Sequence, residues 1–323
     1  ESSQLDEILK KEVGTEDEVL SQEDELHLQD EFEKKAQLYT CSECGAEIIA
    51  DENTSATSCV FCHSPAILPS RLSGVFRPSK IIPFSVDKNK ALEMFAGYCK
   101  HRPLIPKLFY TEAQREKLSG VYVPFWLYDC DVNGVMNATG HKIRTWISGN
   151  YTYTETKIYK IEREGVMSFD DVPADASKKM PDDLMDLLEP YKYSDMKDFS
   201  MAYLSGFLAE KYDQTKEEIF PRVKSRLDKY TQSLLRNTIK GYTTVINVNT
   251  NIKVKKNVSQ YALMPVWMLN YKYKNKQYMF AVNGQTGRVV GNLPYSKLKA
   301  FIWFLLSFII VVAILFLGGM FLW

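Results

Sequence analysis

The chain ends in its most apolar stretch, residues 300–323, which carries no charged side chain and a single hydroxyl, on Ser307. At about 1.5 Å per residue, a helix of this length is roughly 36 Å long, enough to cross the ~30 Å hydrocarbon core of a bilayer. Lipid offers no partners to backbone amides, so a segment that crosses it alone must be helical. A core helix of a soluble domain keeps a polar face, which this segment lacks. The pattern therefore predicts a transmembrane helix.

The residues that flank this segment predict its orientation. Lys297 and Lys299 come directly before it, and no residue follows Trp323. Because positively charged flanks stay on the cytoplasmic side, we expect a tail-anchored, single-pass protein of the cell membrane with residues 1–299 in the cytoplasm. The sequence begins at Glu1 rather than Met, which leads us to expect further sequence upstream.

Helical spacing of apolar residues recurs in the middle of the chain. It predicts helices over residues 88–100, 182–188 and 201–212. The surrounding segment 170–200 is acidic and contains three prolines. We therefore expect it to be a long surface connection that holds one short helix.

Two capping boxes predict further helix starts, Thr111 with Gln114 and Thr215 with Glu218. We expect the second of these helices to close at Gly241. Its predicted buried stripe consists of Ile219, Val223, Leu227, Tyr230 and Leu234.

Alternating and β-branched segments predict an antiparallel sheet around these helices. The predicted strands lie at 121–129, 150–162, 242–254, 262–271, 276–282 and 288–290, with a hairpin turn at Asn283-Gly284. The fold class predicted from the whole pattern is α+β, with a small zinc ribbon before the body and one C-terminal transmembrane helix after it.

The same pattern predicts the division of the chain into segments. These are an acidic helical or disordered arm (1–38), the ribbon (39–72), the α+β body (73–293) and a juxtamembrane segment with the transmembrane helix (294–323). Within the body, the Pro-x-Trp motif formed by Pro124 and Trp126 is repeated by Pro265 and Trp267. Two related units, 73–170 and 195–293, would explain the repeated motif, and chance is the alternative.

Charge is distributed unevenly, although the formal net charge is zero. Residues 1–35 carry 13 acidic and 4 basic side chains, a net of −9, and residues 222–299 carry 15 basic and 1 acidic, a net of +14. Basic residues beside a membrane are attracted to anionic lipid at about 1 kcal/mol each. We expect a membrane-surface contact by Lys272, Lys274, Lys276, Lys297 and Lys299. A basic surface without a lipid role is the alternative.

The most specific chemical pattern is a pair of Cys-x-x-Cys motifs, formed by Cys41 with Cys44 and by Cys59 with Cys62. Two such pairs at this spacing are typical of a four-thiolate zinc site. Four protein ligands leave no position open for water, so we expect one structural Zn²⁺ and no catalytic metal. Gly45 suits the turn after the first pair because such a turn can require a positive φ.

The residues also bear on two other functions, nucleic-acid binding and catalysis. The charged side chains of the ribbon sum to −3, which does not favour nucleic-acid binding by the ribbon, because phosphate contacts need Lys and Arg. No catalytic constellation, phosphate loop or small-molecule substrate site is recognisable, so we do not expect an enzyme. The carboxylates available for catalysis are two pairs, Asp129 with Asp131 and Asp170 with Asp171. The alternative that remains is an enzyme whose site lies between the two units.

The ribbon, the segments VPFWLYD and YLSGFLAEKYD, the block from Leu263 to Gly291 and the terminal span together resemble the YdjG-type bacterial membrane-anchored proteins with a TFIIB-type zinc ribbon. The resemblance implies a cytoplasm-facing protein linked to envelope stress. It implies association with a sister membrane protein and with phage-shock-protein-A-like or flotillin-like partners. Such proteins often carry another ribbon upstream, which again leads us to expect missing sequence before Glu1.

The leading hypothesis from sequence is a non-enzymatic, membrane-anchored adaptor that recruits or scaffolds envelope-stress proteins. The alternative is a membrane-tethered nucleic-acid binder, related to replication or transcription, that uses the basic third of the chain. The sequence names neither the partners nor the oligomeric state.

Overall fold

A long twisted β-sheet organises the structure, a computed structural model that describes residues 22–51, 54, 58–65, 67–70, 76–106, 117–273 and 276–321. Its helices are α1 (Gln22–Lys35), α2 (Lys88–Lys100), α3 (Asp182–Leu188), α4 (Lys216–Asn237) and α5 (Lys297–Phe321). Its strands are β1 (Ala36–Cys41), β2 (Glu47–Asp51), β3 (Ile67–Ser70), β4 (Lys80–Ile81), β5 (Ser119–Ser148), β6 (Tyr151–Asp175), β7 (Lys197–Asp198), β8 (Leu208–Glu210), β9 (Thr244–Tyr273), β10 (Lys276–Asn283) and β11 (Val289–Gly291). The mixed α+β class is confirmed.

The order of the strands joins the N-terminal cysteine module to the body. Along the sheet the order is β11-β10-β9-β5-β8-β2-β1-β3, and β6 pairs with the other side of β5 in its outer part. The short strand β8 pairs with β5 in parallel and with β2 antiparallel. Hydrogen bonding therefore runs across the predicted boundary between residues 72 and 73 without a break in the sheet.

Strands β5, β6 and β9 are far longer than the sequence pattern predicts. The predicted segments 121–129 and 150–162 both lie inside one hairpin, whose register runs from Phe125 opposite Asp175 to Ser148 opposite Tyr151. The expectation that residues 170–200 form a surface connection is wrong at its start, because residues 172–177 are buried. The helix predicted at 182–188 is confirmed as α3.

Helix α4 begins with the predicted capping box: the Thr215 side chain accepts from the Glu218 amide, and the Glu218 carboxylate accepts from the Thr215 amide. Its buried stripe departs from the prediction in the second half. Tyr230 and Leu234 are exposed, whereas Thr231 and Leu235 are buried, so the buried residues of α4 recur at every fourth position along the whole helix.

The second half of α4 buries Thr231 because a glycine of the sheet lies opposite it. A Cβ added to Gly134 of β5 would lie 2.4 Å from the Thr231 methyl group, so the absence of a side chain there lets the helix approach.

The helix predicted over residues 201–212 is wrong. The chain forms a single 3₁₀ turn at Met201–Leu204, Gly206 adopts a φ of +78°, and Leu208–Glu210 continues as β8. Residues 208–210 satisfy their backbone groups against strands on both sides, which outweighs the helical spacing of their apolar side chains. The helix predicted at Lys88–Lys100 is confirmed as α2, and the predicted start at Thr111 lies outside the described residues.

Contacts repeat between the two halves of the body. The Trp126 indole donates to the Gln214 carbonyl at 3.1 Å, and the Trp267 indole donates to the Val86 carbonyl at 2.7 Å. Each carbonyl belongs to the residue just before a helix N-cap in the other half. In the same way β4 pairs in parallel with β9, and β8 pairs in parallel with β5. The duplication of the two units stays a prediction. Such a duplication would have to account for these repeated hydrogen bonds and strand pairs.

Helix α5 leaves the body at the end of the sheet where β9 turns into β10. After β11 the chain runs antiparallel to β10, and the Asn292 amide donates to the Met279 carbonyl. The Ser296 amide then donates to Leu104 at 2.8 Å, and Lys299 Nζ donates to Ile105 at 2.6 Å. Residues 301–316 are all exposed, and the helix is long and apolar enough to cross a membrane.

Candidate metal centre

The two Cys-x-x-Cys motifs fold into matching knuckles. In the first, the Gly45 amide donates to the Cys41 carbonyl at 2.8 Å and the Cys41 amide donates to Ala46 at 2.9 Å. In the second, the His63 amide donates to the Cys59 carbonyl and the Cys59 amide donates to Ser64, both at 2.9 Å. The residue after each motif has a positive φ, +69° at Gly45 and +60° at His63, which confirms the turn predicted for Gly45.

The knuckles bring four sulfur atoms together with a geometry that fits a metal ion. Cys41 Sγ lies 3.6 Å from Cys62 Sγ, and Cys44 Sγ lies 3.6 Å from Cys59 Sγ. All four sulfurs lie within 4.8 Å of one another, and none is in a disulfide. Metal–sulfur bonds of about 2.3 Å in a tetrahedron would place the sulfurs roughly 3.8 Å apart. The donor set can therefore hold a metal ion.

The local environment affects the four thiols differently. Burial raises the pKa of Cys59 and of Cys44. Burial acts in the same direction at Cys41, but the amides of Cys44 and Glu43 donate to its sulfur and lower its pKa to about 7. A bound cation would stabilise all four thiolates, because it supplies the positive charge that this site lacks.

The module is tied to the body near the α5 end of the sheet. His63 Nε2 lies 2.8 Å from the Asn270 carbonyl oxygen, and Asn270 Nδ2 donates to Val60 at 3.2 Å. Lys179 Nζ also donates to the Cys44 carbonyl. The His63 side chain is therefore engaged with β9 of the body.

A buried carboxyl group lies where the module meets the body, at Glu210 of β8. It is 2% exposed, and one carboxyl oxygen accepts from Ser177 Oγ at 2.7 Å. The other oxygen has no hydrogen-bond partner among the described residues. Burial raises the pKa of Glu210 to about 8; the Ser177 bond and Lys179 oppose this rise, and Asp213 and Asp175 add to it. Sequence analysis missed this residue, because a glutamate in a polar segment resembles any solvated one.

We expect Glu210 to make a contribution to stability that is lost as the pH rises towards 8. Its folded pKa of about 8 lies above the ordinary value, so the unfolded chain gives up this proton first. Between about pH 5 and pH 8 this contribution to the free energy of unfolding should fall by up to about 1.4 kcal/mol per pH unit and then level off, against the opposite trend of the metal-bound thiolates, which are protonated in the unfolded chain. Thermal unfolding of the metal-loaded protein in detergent, followed across this range, measures the slope.

The matched variants are Glu210→Gln, which keeps the Ser177 contact without a titrating proton, and Glu217→Gln on the exposed first turn of α4. The first should remove this contribution, so that the slope becomes more positive than that of the wild-type chain by up to the same amount, and the second should leave the slope unchanged. An unaltered slope in Glu210→Gln would contradict the assignment.

The four predicted membrane-surface lysines that lie within the described residues, Lys272, Lys276, Lys297 and Lys299, are placed near one end of the sheet. Strand β9 stops at Tyr273 and β10 starts at Lys276, with Lys272 opposite Gln277 in the register. Lys272 and Lys276 therefore belong to two neighbouring antiparallel strands, and Lys274 lies outside the described residues. Lys297 is exposed at the start of α5, whereas Lys299 is half-buried and bound to the Ile105 carbonyl.

The candidate carboxylates converge without forming a metal cluster. The Asp171 amide donates to Asp129 Oδ1 at 2.8 Å, and Ser168 donates to Asp131 at 2.6 Å. Burial, together with Asp129 and Asp170, raises the pKa of Asp171. Within the described ranges, the four cysteines are the group of His, Cys, Asp and Glu ligand atoms that lies close enough to hold an ion.

A cleft of about 320 Å³ separates the module from the body. Its polar wall includes Thr54, Ser58, His63 and Lys88, and none of its described lining residues is acidic.

Comparison with known proteins places this geometry in a family. The chain is 41% identical over 239 residues to "Uncharacterized protein YdjG" of Bacillus subtilis (strain 168), an alignment that covers 74% of this chain and 70% of the relative. No family model matches the sequence. No solved structure matches it. Identity at this level over most of both chains shows common descent, so this chain belongs to the YdjG family.

Proposed function

We propose that this chain is a non-enzymatic, membrane-anchored zinc-ribbon adaptor on the cytoplasmic face of a bacterial membrane, where it recruits or scaffolds envelope-stress proteins. One observation carries the proposal: the cysteine module, the β9–β10 turn and the apolar helix α5 meet at the same end of one sheet. An adaptor needs an anchor and a rigid platform close to it. The continuous hydrogen bonding from β2 through β8 to β5 supplies that rigidity.

Zinc is the metal that the four sulfurs favour. A closed set of four thiolates is typical of structural Zn²⁺, and thiolates select against the harder Mg²⁺ and Ca²⁺. The matching knuckles make the module a zinc ribbon in this proposal. With no open coordination position, the ion stabilises the platform and performs no chemistry.

The charges at the base of the sheet support the cytoplasmic orientation. Lys297 is exposed directly before the apolar span, and Lys276 is exposed at the start of β10. Cations at this position face the anionic inner leaflet, and by the positive-inside rule they also hold the body in the cytoplasm. The body then rests with its α5 end towards lipid.

The partners proposed here come from the family resemblance: a sister membrane protein, and phage-shock-protein-A-like or flotillin-like proteins. The proposal assigns their recruitment to the ribbon and the adjoining face of the body, because this is the rigid part nearest the membrane.

Crosslinking pull-down from membranes tests the proposal. The intact chain is compared with a Cys41→Ser, Cys44→Ser variant, and a Cys99→Ser variant serves as a control because Cys99 is buried outside the metal cluster. We expect the first variant to remain in membranes and to lose its cytosolic stress partners, and the control to keep them. Unchanged partners in the first variant would remove the ribbon from the recruiting role. Recovery of DNA instead of protein partners, with DNA binding that weakens as the salt concentration rises, would favour the nucleic-acid alternative.

A further inference from the structure

The loop that follows α2 is tied to the start of α5, although the two segments are far apart along the chain. The Ser296 amide donates to the Leu104 carbonyl at 2.8 Å, and Lys299 Nζ donates to the Ile105 carbonyl at 2.6 Å. Ser296 lies four residues before Ala300, where the apolar stretch begins. At about 1.5 Å per residue, the backbone of the loop therefore lies roughly 6 Å from the start of the apolar span.

This depth matches the headgroup layer of a bilayer. A bilayer is about 40–45 Å thick with its headgroups and about 30 Å thick without them, so each headgroup layer is roughly 5–8 Å deep. Lys299 is the last charged residue before the span. Its ammonium group is bound to the Ile105 carbonyl, so this carbonyl lies at the level of that charge. The loop therefore lies in the headgroup layer when α5 crosses a bilayer.

A tight turn gives the loop its shape. The Ile105 amide donates to the Arg102 carbonyl at 3.1 Å, and Pro103 takes the second position of this turn, where its fixed φ is favourable. Ile105 is 4% exposed and belongs to the same core cluster as Phe95. Leu104 is 36% exposed. Burial of Ile105 thus fixes the turn to the body and leaves an aliphatic side chain at the surface beside α5.

Basic side chains surround this turn. Lys100 lies in the last turn of α2, Arg102 follows it, and Lys297 begins α5; all three are exposed. The Arg102 guanidinium lies 3.4 Å from the centre of the Tyr98 ring and donates to the Tyr98 carbonyl at 3.0 Å, which fixes its position. None of the three cations forms an ion pair with another described residue. Their charge is available to an anionic partner.

Exposed apolar side chains accompany these cations. Tyr295 is 65% exposed and Leu298 is 70% exposed. Neither residues 94–106 nor residues 284–299 contain an acidic side chain. Aromatic and basic residues next to a span are typical of the membrane–water interface. The exposed surface at the base of α5, here called the juxtamembrane patch, consists of Lys100, Arg102, Leu104, Tyr295, Lys297 and Leu298.

We infer that the juxtamembrane patch binds the anionic phospholipid headgroups of the bilayer that α5 crosses. Lys100, Arg102 and Lys297 contact the phosphate groups, and Leu104 reaches the acyl boundary. A guanidinium can engage two phosphate oxygens at once, and basic residues close to an anionic surface are attracted to it. The inference rests on the anchoring in the proposed function, and it adds to the anchor a lipid-binding loop that is remote from the span in sequence.

The loop gives the body a second attachment to the membrane. A single span leaves the body free to turn about the helix axis, whereas a contact beside the axis opposes that rotation. Lys299 holds this arrangement together, because it is half-buried and its charge is bound to the Ile105 carbonyl rather than exposed. Its role is therefore to position the loop, while the lipid contacts belong to the juxtamembrane patch.

Photo-crosslinking of the full-length chain in vesicles tests the inference. A photoreactive amino acid replaces Leu104, or replaces Ile147 as a control, because Ile147 is 76% exposed at the far end of the β5–β6 hairpin. The vesicles contain phosphatidylcholine and phosphatidylglycerol in equal amounts. We expect lipid adducts at position 104 and none at position 147. At position 104, phosphatidylglycerol adducts should exceed phosphatidylcholine adducts about tenfold at low salt, and this excess should fall as salt is added.

Matched variants separate charge from structure. With the photoreactive group at position 104, Lys100→Gln with Arg102→Gln should bring the two adducts close to equality. Arg236→Gln with Lys240→Gln, which removes two exposed cations at the far end of α4, should leave the preference unchanged. Arg102→Lys keeps the charge but loses the planar stacking on Tyr98, so it should retain most of the preference.

Three results would overturn the inference. The first is no lipid adduct at position 104, and the second is equal adducts of the two lipids in the chain with both cations present. The third, in isolated native membranes, is a protein adduct in place of lipid, which would show that a protein covers the patch. Flotation of the vesicles is read separately. A chain that does not float would contradict the anchoring, whereas a floating chain without adducts at position 104 would contradict the lipid-binding loop alone.

Discussion

Replacing Cys41 and Cys44 by serine is expected to unfold the cysteine module and abolish its metal binding. The double variant removes two of four ligands, and the remaining pair cannot close a tetrahedral site. Structural zinc contributes on the order of 10 kcal/mol to the folding of zinc-finger peptides at neutral pH. The three strands of the module are short, and its buried apolar side chains, such as Ile48 and Phe61, belong to the core cluster of the body.

Two measurements check this expectation. Elemental analysis should find one zinc per wild-type chain and none in the double variant. Hydrogen exchange over residues 36–70 should rise towards that of an unfolded chain, while exchange in β5 and β9 changes little. The Cys99→Ser control should keep its zinc. A double variant that keeps slow exchange over residues 36–70 would show that the module folds without metal.

Disrupting α5 is expected to release the protein from membranes. Sixteen of the residues 300–323 are Leu, Ile, Val or Phe. At about −0.3 to −0.6 kcal/mol each, they favour insertion by roughly 5–10 kcal/mol. Two arginines near the middle, Val311→Arg with Val312→Arg, would cost about 2.5–3.5 kcal/mol each and remove most of that preference. The pair of substitutions lies on an exposed part of the helix that contacts no other described element, so the body should fold normally.

Fractionation of cells measures the effect. Wild-type chain should stay in the membrane pellet after a carbonate wash, and the double arginine variant should move to the supernatant. A Val311→Leu, Val312→Leu variant keeps the apolar character and should remain in the pellet. Protease added outside intact cells should leave the body uncut. Wild-type chain in the supernatant without detergent would contradict the anchor, and removal of the cysteine module by external protease would contradict the orientation.

Features that short segments encode were predictable from the sequence. The knuckle turns need only four or five residues and a positive φ after each motif, and both are present. The capping box at Thr215 and the helix at Lys88–Lys100 are set by side chains three and four apart. The apolar run of α5 is likewise a local property of composition. Each of these follows from hydrogen bonding or solvent preference within one or two helical turns.

Features that depend on residues far apart along the chain were not predictable from the sequence. Residues 208–210 have helical spacing but become a strand, because β2 and β5 lie on either side of them. The burial of Glu210 depends on packing by segments that the sequence separates widely, as its Ser177 contact shows. Which residues of β5 and β6 share a face depends on the register between the two strands.

The sequence by itself therefore determined the ligand set of the metal centre, the apolar span and the local caps, because near neighbours along the chain make these interactions. Only the tertiary structure decided that the cysteine module and α5 lie at the same end of the sheet and that the β5–β6 hairpin projects from the opposite end. The reason is that strand pairing joins residues up to about 180 positions apart, as Lys80 and Ala262 show, and no local pattern encodes which strand will be the neighbour.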